Sequence, residues 1–170
     1  MNKGLPSGDL ALKSHDDPRV ILCTPRNPLS ATFDLEGDGS DAVLRFGWVT
    51  ETGNIEANGR SFTVEKQGAL SGHWTLVEDG NALVEAVKTS PLKRTFEVEG
   101  PMGFLDLRAT ALLKREFSIL RSGVLVATII PEGLLTRRSS IVLYVDDYHW
   151  PTISFLFWIV VMCWRRDESA

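Results

Sequence analysis

The sequence predicts an all-β protein with one helix: a closed antiparallel barrel of about 10–12 strands enclosing a hydrophobic C-terminal helix. Three observations lead there. Residues 153–164 read ISFLFWIVVMCW, with Ser154 the one polar residue. Upstream, from residue 31 onward, short segments rich in Val, Ile, Phe and Trp alternate with clusters of Gly, Asn, Asp and Ser, as in a sandwich or barrel. Finally, a helix that is apolar all round cannot lie on one face of a sheet without wetting its other side. It fits inside a closed barrel. A helix with its side chains is about 10–12 Å across, so the barrel needs more than the eight strands that side chains alone can fill.

The apolar segment has three readings. As a helix, twelve residues span ~18 Å, against ~30 Å for the hydrocarbon core of a bilayer, so a C-terminal membrane anchor is short. As a core strand it is long. The flanks favour a helix buried in protein. Pro151 suits a first helical turn. Asp146 and Asp147 precede the segment and Arg165 and Arg166 follow it, the signs that a helix dipole favours. The helix spacing puts Phe155, Leu156, Trp158, Ile159 and Met162 on several sides of its axis, so all five are expected in the core.

Residues 1–30 carry Pro6, Pro18, Pro25 and Pro28 and read as a loose leader, with residues 20–23 as a short strand. The barrel is expected over residues 31–170. Residues 31–36 put Phe33 and Leu35 on one face, and residues 42–49 do the same with Leu44, Phe46 and Trp48. Thr52-Gly53-Asn54 and Asn58-Gly59 read as turns. Residues 61–66 pair Phe62 with Val64, and residues 73–78 pair Trp74 with Leu76. Asp79-Gly80 is a hairpin signal leading into residues 81–89. Further strands are expected over residues 94–99, 103–110, 115–121, 124–130 and 139–146, with Ser122-Gly123 turning one into the next.

Composition narrows the classes. A chain of 170 residues is most simply one domain with a substantial core. The net charge of −4 gives no reason to expect nucleic acid. Cys23 and Cys163 are too few and too far apart for a disulfide framework, and residues 1–19 contain no apolar run of the secretory kind. A cytoplasmic setting is therefore expected, with membrane association as a second option.

Three passages resemble the tubby C-terminal-like superfamily, which includes tubby domains, plant LURP-one-related proteins and phospholipid scramblases. Residues 115–129, REFSILRSGVLVATI, resemble the family hairpin through Phe117-x-Ile119, Gly123 and Val126-Ala127-x-Ile129. Residues 74–80, WTLVEDG, resemble its earlier Asp-Gly hairpin, and Asp146-Asp147 before the apolar helix resembles its ending. The likeness covers residues 31–166. It implies a twelve-stranded antiparallel barrel threaded by the C-terminal helix.

No residue pattern assembles a catalytic centre. Gly37-x-Gly39-x-x-Ala42 satisfies a dinucleotide pattern, but a strand follows where a helix is required, and Asp38 and Asp41 would repel phosphate. Asp34-x-Glu36-x-Asp38-Gly39 opens like a calcium loop, yet Arg45 stands where a glutamate is needed. His15, His73 and His149 lack metal spacing, and two adjacent carboxylates at Asp146-Asp147 fall short of a calcium site. No cofactor is expected. The basic pairs Lys93-Arg94, Lys114-Arg115, Arg137-Arg138 and Arg165-Arg166 remain. If they converge on one rim, they can bind anionic headgroups, and the resemblance to tubby domains implies phosphoinositides. The candidate headgroup residues are Lys114, Arg115, Arg137 and Arg138. The expected function is a non-catalytic binding or scaffold barrel for a protein or small ligand. The alternative is a membrane-associated protein binding phosphoinositide or anionic headgroups, or a scramblase-like chain with a membrane segment.

Overall fold

The computed structural model describes residues 17–68, 70–110, 115–133 and 136–168. Most of the segment expected as a loose leader, residues 1–16, lies outside them, as does Lys114. Twelve strands follow in order: β1 (Arg19–Pro25), β2 (Thr32–Gly37), β3 (Ser40–Gly47), β4 (Thr52–Ala57), β5 (Arg60–Lys66) and β6 (His73–Glu78). Then come β7 (Asn81–Lys88), β8 (Thr95–Gly100), β9 (Gly103–Ala109), β10 (Phe117–Arg121), β11 (Val124–Pro131) and β12 (Ser139–Leu143), and last the helix α1 (Trp150–Glu168). Each strand pairs antiparallel with its neighbours in sequence, and β1 pairs with β12 to close the barrel.

Alternation selects the inner face. Ile21 and Cys23 of β1 point inward while Val20 and Leu22 face out. The inward set runs from strand to strand in register: Cys23 lies opposite Leu35, Leu44 opposite Ile55, Val64 opposite Leu76, and Ile129 opposite Ile141. One continuous core results. Two strands differ from the sequence expectation. β1 contains the short strand expected over residues 20–23, but it belongs to the barrel and closes the sheet rather than standing in a leader before it. Thr52-Gly53-Asn54 is not a turn but the start of β4, which buries Ile55 and Ala57. Gly53 has a packing reason. A Cβ there would sit 2.2 Å from the Arg45 carbonyl oxygen and 3.2 Å from Trp158 Nε1 of the helix.

α1 fills the interior. Every residue from 150 to 162 is buried, and Phe155, Leu156, Trp158, Ile159 and Met162 are each at most 3% exposed. Among the described residues no helix is long and apolar enough to cross a membrane. His149 caps the helix: its Nδ1 accepts from the Thr152 N–H at 3.3 Å, and its carbonyl accepts from the Ile153 N–H at 3.1 Å. Burial, reinforced by Arg60, holds the imidazole below its ordinary pKa, which keeps Nδ1 available as an acceptor. Asp146 and Asp147 do not lie in the first helical turn. They pair instead with Arg19 at 2.7 Å and Arg121 at 2.9 Å.

The two ends of the barrel differ. The connections from even to odd strands are two-residue turns such as Asn58-Gly59 and Asp79-Gly80, where both residues have positive φ (47° and 75°, 49° and 78°). α1 starts at this end, where the Trp150 indole donates to the Asp41 carbonyl at 2.8 Å. The connections from odd to even strands are longer and ring the opposite end. The helix leaves there: Trp164 Nε1 donates to the Arg115 carbonyl at 2.7 Å, and Asp167 pairs with Arg94 at 2.9 Å.

Candidate ligand-binding end of the barrel

The last two turns of α1 bring arginines to the loop end, and two of them have different partners. Arg166 donates to both carboxylate oxygens of Glu51, at 2.7 and 2.6 Å, and Lys66 donates to the same carboxylate. Burial alone would push the Glu51 carboxyl up, but hydrogen bonds from Arg166 and Lys66 outweigh it and hold the group below the usual range. The Glu51 carbonyl also accepts from the Trp74 indole at 3.2 Å. This knot ties the helix end to the β3–β4 connection and is structural.

Arg165 turns the other way. Its guanidinium lies 4.2 Å from the Trp48 ring centroid. Beneath Trp48 the stack continues inward: Phe46 at 4.6 Å and 19°, then Trp158 of the helix at 5.2 Å and 8°. A column of three rings therefore runs from the core to the surface and ends on a cation.

That cation faces a recess of about 230 Å³ lined mainly by Phe33, Trp48, Arg115, Arg137, Trp164 and Arg165, with Glu168 on its edge. Arg137 donates to the Pro28 carbonyl at 3.0 Å and lies over both Phe33, at 5.1 Å, and Trp48, at 5.8 Å. Arg115 lies 5.1 Å from the Trp164 ring centroid and pairs with Glu168 at 2.9 Å. Burial pushes the Arg137 pKa down; Glu168 opposes this, and Arg165 and Arg115 add to it. Three guanidinium groups therefore share one field with a single carboxylate among the described lining residues.

Of the four expected headgroup residues, Arg115 and Arg137 meet in this recess. Arg138 is exposed and does not line it, and Lys114 lies outside the described residues. Arg94 is engaged with Asp167. Sequence reasoning missed Trp48 and Trp164 as site residues because both read as core. Trp48 stands just past β3, half-buried, with one face on Phe46 and the other toward Arg165. Arg165 was legible as one of a basic pair, but which member would enter a site was not.

The thiols give this end no nucleophile. Burial pushes the Cys163 thiol up to about 12 and raises that of Cys23 as well. At pH 7.5 the thiolate of Cys163 is then on the order of one in ten thousand or less. Maleimide labelling of the folded protein at that pH should be negligible at both cysteines and become rapid only in denaturant. Fast labelling of Cys163 under native conditions would contradict its place in the core end of α1.

Compared with family models, with curated proteins and with solved structures, the chain matches none.

Proposed function

We propose that this chain is a non-catalytic binding barrel of the tubby-like kind, whose loop-end recess takes an anionic group carried on an apolar body. The observation that carries this reading is the meeting of Arg115, Arg137 and Arg165 around Phe33, Trp48 and Trp164. Guanidinium groups recognise phosphate and carboxylate through fixed N–H forks, and aromatic walls suit the apolar part of such a ligand. The closed barrel with one C-terminal helix is compatible with a tubby-like fold, and an anionic lipid headgroup is one ligand of the required chemistry. Glu168 pairs with Arg115 at the place such an anion would occupy, so a ligand competes with it.

Octyl phosphate, kept below the concentration at which it forms micelles, is a suitable probe, with inorganic phosphate as its tail-free counterpart. Trp48 and Trp164 report binding through their fluorescence. Octyl phosphate should bind more tightly than phosphate, and Arg137→Gln should weaken it ~10- to 100-fold, the range expected for a lost hydrogen bond to a charged group. A thermal melt of the variant checks that the fold is retained. Equal binding by wild type, Arg137→Gln and Arg115→Gln would remove the recess from the proposal.

A further inference from the structure

We infer that the loop end of the barrel docks on an anionic lipid bilayer, with its apolar loop tips inserted between headgroups and Lys93, Arg137 and Arg138 against the phosphates. The starting observation is where the exposed apolar side chains stand. Leu29, Val49, Leu70 and Leu92 are 92%, 97%, 101% and 90% exposed. They occupy four different connections, β1–β2, β3–β4, β5–β6 and β7–β8. In an up-and-down barrel every connection from an odd to an even strand emerges at the same end. All four tips therefore ring the mouth from which α1 leaves. The opposite end has two-residue turns such as Asp38-Gly39 and Ser122-Gly123; Met102 there is buried, and its exposed apolar side chains, Phe104 at 74% and Val124 at 65%, stand on the strands rather than at turn tips.

Charge divides the same way. Connections at the turn end carry Asp38, Asp79, Asp146 and Asp147 and no Lys or Arg, though Arg19 and Arg121 on the adjoining strands pair with Asp38, Asp146 and Asp147. The loop end carries Lys93, Arg137 and Arg138, while Arg94, Arg115 and Arg166 at the same end are held by Asp167, Glu168 and Glu51. A chain of net charge −4 thus has Lys93, Arg137 and Arg138 at the end that bears its four most exposed apolar tips. An anionic surface orients such a molecule end-on before any contact forms.

The spacing of the tips points to lipid. A protein partner requires a contiguous, closely packed apolar core at the interface. Here single side chains stand on four successive loop-end connections, and Arg137 and Arg138 on a further one, and a bilayer closes around each tip independently. The half-buried Trp48 at the same mouth is the residue type favoured at the headgroup level. The inference does not require the recess to be filled, because Val49, Leu70 and Leu92 do not line it.

Flotation of the full chain with vesicles of 70% phosphatidylcholine and 30% phosphatidylserine is the test, beside vesicles of phosphatidylcholine alone. The protein should float with the mixed vesicles, be released by high salt, and bind the neutral vesicles far more weakly. The variant Val49→Ser, Leu70→Ser, Leu92→Ser leaves the charge unchanged and removes only exposed side chains. Its affinity should fall ~100-fold or more. Acyl chains brominated near the headgroup should quench tryptophan emission from the bound wild type. The triple variant should still bind octyl phosphate, which separates this surface from the recess. Wild type that floats with neither vesicle overturns the inference. So does a triple variant that binds like wild type, since charge alone would then explain attachment. A wild type that self-associates through the tips, becoming monomeric in the triple variant without binding vesicles, also overturns it in favour of a protein interface.

Discussion

A chain ending at Pro151 should give no soluble, cooperatively folded barrel. The residues removed include Phe155, Leu156, Phe157, Trp158, Ile159, Val160 and Val161, each at most 3% exposed and each in the same core as the inward residues of the strands. Burial of one such side chain contributes roughly 1.5–3 kcal/mol, so the set contributes on the order of 10–20 kcal/mol. Total stability of a domain is about 5–15 kcal/mol. The strands cannot compensate by collapsing, because their ladder is closed and fixes the diameter. Their inner faces, including Phe33, Trp74, Phe96 and Phe117, would be left facing water. Expression and thermal unfolding of residues 1–151 beside the full chain decide the matter. A soluble truncated protein with a sharp transition would mean that the helix is an appendage.

The barrel was legible where alternation was strong and capped by turns of the Asp-Gly or Ser-Gly kind, as in β6–β7 and β10–β11. It was not legible in β4, where Gly53 and Asn54 are turn residues by composition. Gly53 stands there because the Arg45 carbonyl and the Trp158 indole leave no room for a side chain. That reason exists only once β3, β4 and α1 are together. β1 was legible as a short strand over residues 20–23, but not as part of the barrel, because Val20-Ile21-Leu22-Cys23 is apolar on both faces and no period separates wall from core. The helix was legible from its apolarity together with its flanks, Pro151 ahead of the apolar run and Arg165-Arg166 after it, and its enclosure followed from geometry.

The site was half legible for a similar reason. Arg115 and Arg137 drew attention as members of basic pairs, but their meeting depends on closure of the sheet, which brings the β9–β10 and β11–β12 connections to the same mouth as the helix end. Trp48 was assigned to the core on its spacing from Phe46, and its contact with Arg165 is a long-range consequence of the helix passing through. The exposed tips Leu29, Val49, Leu70 and Leu92 gave no signal at all. A single apolar residue in a polar loop is ordinary. Only the topology shows that four of them share one end.

Trp158→Ala should cost about 3–5 kcal/mol, among the largest effects of any single substitution in this chain. Trp158 is fully buried, stacks on Phe46 at 5.2 Å, and abuts Gly53 where the barrel wall approaches the helix most closely. Its truncation leaves a cavity that neither the closed strands nor the helix can fill by moving. Trp158→Phe should cost much less. It keeps the stacked face and removes an indole N–H that has no hydrogen-bond partner among the described residues, a group whose burial itself costs about 1–3 kcal/mol. The consequence extends to the loop end. Trp158 supports Phe46, Phe46 supports Trp48, and Trp48 underlies Arg165 and Arg137 at the recess. Trp158→Ala should therefore weaken octyl phosphate binding under conditions where the protein is still fully folded, whereas Trp158→Phe should leave it close to wild type. Urea unfolding followed by circular dichroism gives the stability difference, and the remaining tryptophans report the ligand. A loss of less than ~1 kcal/mol on truncation to alanine would show that the ring column is not held from the helix. The route from core packing to the recess would then fail.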